Sequence, residues 1–121
     1  MTEGEWTMGS DQCVFCKIIA GEIPSQRVLE NEDVLAFRDV NPQAPTHVLV
    51  VPRRHVPGMA TLPGDDPLWN SLLSAAQVVA RAEHLDSGYR VVVNHGADGG
   101  QTVDHLHLHV LGGRSLSWPP G

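Results

Sequence analysis

Residues 105–111 read His-Leu-His-Leu-His-Val-Leu, an alternation of imidazole and aliphatic side chains. Side chains along an extended chain alternate between faces. The run therefore predicts a strand with His105, His107 and His109 on one face and Leu106, Leu108 and Val110 on the other. Neighbouring histidines would stand about 6.5–7 Å apart at Cα, so their rings can converge on one ligand. The aliphatic face needs neighbouring strands and a covering layer to bury it. A face turned to water is served more simply by Thr, Lys or Glu, whereas imidazole suits nucleophilic attack, proton transfer and metal binding near neutral pH. A site for metal alone would use all three histidines. It is disfavoured because Asp104, the one acid at metal spacing, falls on the opposite face.

The rest of the chain supplies that setting. Val14, Phe15, Ile18 and Ile19 make a helical apolar stripe, which predicts a short helix over 13–20 that stops at Gly21. Two short strands are expected over 27–30 and 34–39 around an Asn31-Glu32-Asp33 turn, and a β-branched central strand over 46–51, ended by Pro52. Leu68, Leu72, Ala75, Ala76, Val79 and Ala80 recur at spacings of three and four. They predict one long helix over 67–84, capped by Asp65 or Asp66 with Pro67 in its first turn. Strands are also expected over 89–94 and 103–111. Strands gathered around one long helix predict an α+β fold with a mainly antiparallel sheet. Residues 1–11 are expected to be a flexible N-terminal tail and residues 12–121 one folded domain.

The 121 residues suit a single domain that folds without staples. The formal net charge of −6 argues against a polymeric nucleic-acid partner, though not against a mononucleotide in a locally positive pocket. No apolar run reaches the roughly 20 residues that span a bilayer, and residues 1–11 lack the basic and apolar regions of a signal peptide. The expected location is the cytoplasm, with no membrane partner. Its reducing conditions would keep the two cysteines, Cys13 and Cys16, as thiols.

Directly before the histidine run lies His95-Gly96-Ala97-Asp98-Gly99-Gly100-Gln101-Thr102. Such a loop offers unobstructed backbone N–H groups, an amide and a hydroxyl, the makings of a concave anion site. Donors beside a histidine nucleophile suit phosphoryl transfer, where negative charge on non-bridging oxygens must be held.

The stretch from Gly100 to Leu111, Gly-Gln-Thr-Val-Asp-His-Leu-His-Leu-His-Val-Leu, resembles the signature of the histidine triad (HIT) family. Residues 34–47, 50–55 and 88–94 match further family segments in order, and Trp118-Pro119-Pro120-Gly121 is similar to the ending of the HINT branch. The resemblance implies a HIT-like fold whose sheet extends across a homodimer. It implies a hydrolase that cleaves the P–N bond of nucleoside 5′-phosphoramidates, or the corresponding bond of acyl-adenylates, through a nucleotidyl-histidine intermediate, yielding purine nucleoside monophosphates such as AMP or GMP. By the family pattern His107 is the nucleophile and His105, His109 and Thr102 assist it. Thr102 and Asn94 match phosphate or leaving-group positions, within a loop that includes Gly100 and Gln101. Asp39 matches a ribose-binding position, and Phe15, Ile18, Phe37, Val40 and His47 match the base pocket. Trp118 matches a residue that reaches the partner's leaving-group site. His95 stands where relatives often carry an acid. The alternatives are a diadenosine-polyphosphate hydrolase or nucleotidyl transferase of the same family, or a nucleotide-binding zinc scaffold without turnover.

Cys13-Val14-Phe15-Cys16 is a C-x-x-C whose thiolates can hold one Zn²⁺, but a structural site needs four ligands. Two inert thiols on a helix are the plainer alternative, and no thioredoxin-like context favours a redox pair. The resemblance completes a zinc set with His55 and His105. Four protein ligands would make such a zinc structural.

Overall fold

The computed structural model describes residues 12–121; the expected tail over 1–11 lies outside the described residues. Helix α1 (Val14–Ile19) is followed by strands β1 (Arg27–Glu30), β2 (Val34–Arg38) and β3 (Thr46–Pro52). A short 3₁₀ turn (Met59–Thr61), helix α2 (Leu68–Ala82) and strands β4 (Tyr89–Val92) and β5 (Leu108–Gly112) complete the order. The five strands form one antiparallel sheet in the order β1-β2-β3-β5-β4.

The sheet is covered on both faces, and the period of two sorts its residues. Val34 and Ala36 of β2, Val48 and Val50 of β3 and Leu108 and Val110 of β5 join Leu72, Ala76 and Val79 of α2 in one core. Leu35 and Phe37 of β2 with Leu49 and Val51 of β3 face the other way, against Phe15 and Ile18 of α1. The histidine face of β5 belongs to this second side.

The tight turn between β1 and β2 falls where Asn31 was expected to make it: its Oδ1 accepts from the Asp33 and Val34 amides. Cys13 caps α1, its sulfur accepting from the Cys16 amide at 3.4 Å, and Gly21 adopts φ +82 just after the helix. Asp66 accepts from the Leu68 amide at 2.9 Å and so caps α2.

Three element ends depart from the sequence pattern by two residues or more. Helix α2 stops at Ala82 instead of 84, because His84 takes a left-handed conformation (φ 58) and Leu85 donates back to the Ala80 carbonyl at 3.0 Å. Strand β4 ends at Val92, not 94. The last strand begins only at Leu108, not 103, so the triad does not share one strand: His105 and His107 lie in the approach to β5 and only His109 within it. The cause is local. The Leu106 amide donates to the Val56 carbonyl at 2.7 Å, which ties the approach to the loop after β3 and not to a sheet neighbour. The aliphatic half of the alternation survives, with Leu106, Leu108 and Val110 all in the α2-side core.

Candidate active site and metal centre

Each triad histidine is held by a different partner, and the partner fixes its chemistry. His107 is 5% exposed, and its Nδ1 lies 2.7 Å from the His105 carbonyl oxygen. A carbonyl only accepts, so Nδ1 carries the proton and donates, leaving Nε2 with a bare lone pair. That is the state an attacking imidazole needs. Phe15 meets this ring edge-on, with centroids 5.1 Å apart and planes at 89°, and Phe15 in turn packs on Phe37 at 5.6 Å.

His105 is fully buried, and its Nε2–H donates to the Pro52 carbonyl at 2.8 Å. Its Nδ1 is thereby the bare nitrogen, and it points at three other donors. Nδ1 lies 3.3 Å from Cys13 Sγ, 3.6 Å from Cys16 Sγ and 3.2 Å from His55 Nδ1, while Cys16 Sγ is 3.3 Å from His55 Nδ1. All four ligand atoms lie within 4.8 Å of one another. Tetrahedral Zn²⁺ with bonds of roughly 2.0–2.3 Å spaces its ligand atoms about 3.3–3.8 Å apart, so the cluster has the size and donor set of a Cys₂His₂ zinc site. The Pro52 carbonyl behind His105 is the outer partner that metal-bound imidazoles ordinarily have. Burial pushes His105 down to about 4, so the ring is a neutral donor. Burial likewise lowers His55, opposed by the charge of Asp104.

Asp104 is exposed on the bend before His105. Phe15 sits between the two centres, its ring centroid 5.8 Å from that of His105. The Cys/His cluster and His107 are thus joined twice, through Phe15 and through the His105 carbonyl.

His109 neighbours His107 with ring centroids 4.9 Å apart. In the β3–β5 ladder Leu49 stands opposite His109 and His47 opposite Leu111, which brings His47 and His109 together diagonally on one face. Their Nε2 and Nδ1 atoms are 2.9 Å apart, and Asp39 Oδ2 lies 3.4 Å from the same His47 Nε2. Burial lowers both rings. His109 falls to about 4, helped by the charges of His107 and His47, while Asp39 partly offsets the shift at each.

The remaining candidates divide into placed and outlying residues. Ile18 and Phe37 are buried beside Phe15. Gln101 braces its own loop: Nε2 donates to the Pro57 and Val103 carbonyls and Oε1 accepts from the Gly96 amide. Gly100 has φ +82 and Thr102 is exposed. Asn94 is half-buried just past β4. Val40 is 97% exposed and Trp118 82%, both outside the two cores. His95 sits against Gly58, where a Cβ would come 2.8 Å from its Nδ1. The groups that sequence reasoning missed are backbone ones: the carbonyls of Pro52 and His105, and the amide of Gln43 that donates to His47 Nδ1 at 3.0 Å. No residue type signals them.

An α+β sheet that presents buried histidines beside a Cys/His cluster defines a histidine-centred site on a HIT-like fold. The HIT domain family model matches residues 20–116, and the chain belongs to that family. It is 50% identical over 113 residues to an uncharacterised HIT-like protein of Synechocystis, covering 93% of this chain and 99% of the relative. A 14 kDa zinc-binding protein of Zea mays is 51% identical over 112 residues, with 89% and 87% covered. The crystal structure of a HIT family hydrolase from Legionella pneumophila superposes with a TM-score of 0.88 at 49% identity, over 91% of this chain and all of that one. The fold is that of HIT-family hydrolases.

Proposed function

We propose that the protein hydrolyses nucleoside 5′-phosphoramidates and acyl-adenylates through a nucleotide bound covalently to His107. The observation that carries this reading is the 2.7 Å hydrogen bond that holds His107 Nδ1–H on the His105 carbonyl and leaves Nε2 bare. Nε2 bonds to the α-phosphorus as the P–N bond breaks, and the departing nitrogen takes a proton and leaves as an amine. Water then attacks the same phosphorus, returning His107 and releasing the nucleoside monophosphate. Splitting one hard displacement into two easier ones is the gain of covalent catalysis. In this reading the loop over 95–102, with Thr102 and Asn94, supplies donors for the phosphoryl oxygens, and Asp39 takes the ribose hydroxyls. Purine nucleotides are the expected ligands, with Phe15, Ile18, Phe37 and Val40 toward the base.

Zn²⁺ is the cofactor, held by Cys13, Cys16, His55 and His105; it fastens α1 to the segment that presents His107. The zinc-binding relative in Zea mays supports this. A homodimer forms through β4, the sheet edge with exposed Tyr89 and Val91, whereas the β1 edge is blunted by ion pairs of Glu30 with Arg27 and Arg53. The exposed Trp118 is then free to reach the partner. No described helix is long and apolar enough to cross a membrane, and a cytoplasmic setting would keep both cysteines reduced. Steady-state assays with adenosine 5′-phosphoramidate test the reading. AMP is expected from the wild type, with turnover lost and AMP binding retained in His107→Ala. No AMP from the zinc-loaded wild type would overturn it.

A further inference from the structure

The segment that follows β5 reaches across to the loop between β2 and β3. The β3–β5 ladder pairs Thr46 with Gly112, and one step further Gly113 lies on Pro45. The approach is so close that a Cβ on Gly113 would come 2.9 Å from the Pro45 Cβ, and Gly113 takes φ +91, a conformation that suits glycine. Arg114, next in the chain, donates from Nη2 to the Gln43 carbonyl at 3.0 Å. Two further bonds continue inside the loop. Gln43 Nε2 donates to the Asn41 carbonyl at 3.0 Å, and the Asn41 amide donates to Asp39 Oδ1 at 2.9 Å. Three consecutive hydrogen bonds thus run from the Arg114 guanidinium to the Asp39 carboxylate. Strand β3 holds the loop on its inner side only, where the His47 carbonyl accepts from the Asp39 amide at 2.9 Å and His47 Nδ1 from the Gln43 amide at 3.0 Å. Apolar burial does not hold the tip, since Val40, Asn41, Pro42 and Gln43 are all exposed.

We infer that Arg114 is a positioning residue for nucleotide binding: it braces the tip of the 39–45 loop and, through Gln43 and Asn41, sets the direction of the Asp39 carboxylate toward the ribose hydroxyls. A carboxylate already fixed by a backbone amide has less freedom to lose when a diol binds, so the brace adds affinity without touching the ligand. Guanidinium geometry suits the task. Nη1 donates to the Ser115 carbonyl at 3.0 Å while Nη2 reaches Gln43, so one planar fork ties the C-terminal segment to the loop. Arg114 also follows the strand that carries His109, which fixes the loop relative to the triad. The ribose rests on the nucleotide reading of the site, whereas the brace rests on geometry alone.

Calorimetric titration of the zinc-loaded protein with AMP and with 2′,3′-dideoxy-AMP separates this role from general support of the fold. Arg114→Met is expected to weaken AMP about 3- to 10-fold, the scale of one hydrogen bond, and to leave 2′,3′-dideoxy-AMP within about twofold, because that nucleotide has no hydroxyls for Asp39. Gln43→Leu cuts the middle bond and is expected to reproduce this selective loss, with the double variant no weaker than the weaker single one. Equal weakening of both nucleotides, no weakening of AMP, or losses that add in the double variant would overturn the inference. If the wild type binds no AMP, the proposed function fails and ¹⁵N relaxation of the free protein decides the brace. The Asn41 amide is expected to be less ordered in Arg114→Met than in the wild type, and equal order would refute the brace.

Discussion

His84 closes α2 in a conformation that suits glycine. Its φ of 58 lies in the left-handed region, and two bonds hold it there: its own amide donates to Arg81 at 3.1 Å and the Leu85 amide to Ala80 at 3.0 Å. A side chain with a Cβ at this position costs about 1–2 kcal/mol. His84→Gly removes that strain but gives the unfolded chain more freedom, which takes back about 0.4–1 kcal/mol. The imidazole is exposed and near the helix C-terminus, where its charge favours Glu83. The net expectation from the backbone is a gain of about 0.5–1 kcal/mol, or about 2–4 °C in Tm for a domain of this size. Urea and thermal unfolding followed by circular dichroism measure it. His84→Ala is the control, since it deletes the imidazole and keeps the strained Cβ. If His84→Ala stabilises as much as His84→Gly, the imidazole and not the backbone is the source, and the reasoning fails.

Other outcomes follow from the same contacts. Arg38 grips Glu83 with two bonds of 2.8 and 2.9 Å, which holds the Glu83 carboxyl below its ordinary value. A depressed carboxyl adds stability that is present above the unfolded pKa near 4.5 and lost as pH falls through the lower folded value; Arg38 is partly exposed. Glu83→Gln is therefore expected to cost only about 0.5–1 kcal/mol at neutral pH and almost nothing in strong acid, read by denaturant midpoints across pH. Chelation of the metal is expected to lower Tm by several degrees or more and to leave one zinc per chain in the chelator, as atomic absorption measures; Cys16→Ala should no longer show that shift. Val91→Glu on the exposed β4 edge is expected to convert a dimer to a monomer in sedimentation, with the fold kept.

What the sequence disclosed and concealed follows from the range of each interaction. The alternation over 105–111 is local, and it correctly sorted Leu106, Leu108 and Val110 into the core beneath α2. It could not show that the chain leaves the sheet before Leu108, because that depends on a bond to Val56, fifty residues away. The end of α2 was concealed by its residue: a histidine in a glycine conformation carries no stop signal. Cys13 and His105 are separated by 92 residues, so only family likeness grouped them; the structure closes the cluster through the packing of α1. The contact of His47 with His109 is set by the β3–β5 register and has no local sequence signal. The groups that set the tautomers, at Gln43, Pro52 and His105, are main-chain atoms and invisible to any reading of side chains.

The central claim is that His107 Nε2 becomes bonded to phosphorus. The most direct measurement is intact mass after rapid quenching with adenosine 5′-phosphoramidate, followed by peptide mapping. The expected result is a transient adduct of one adenylyl group on the peptide containing His107, absent from His107→Ala, with AMP accumulating as it decays. AMP production by His107→Ala at the wild-type rate, or an adduct on a peptide without His107, would contradict the account.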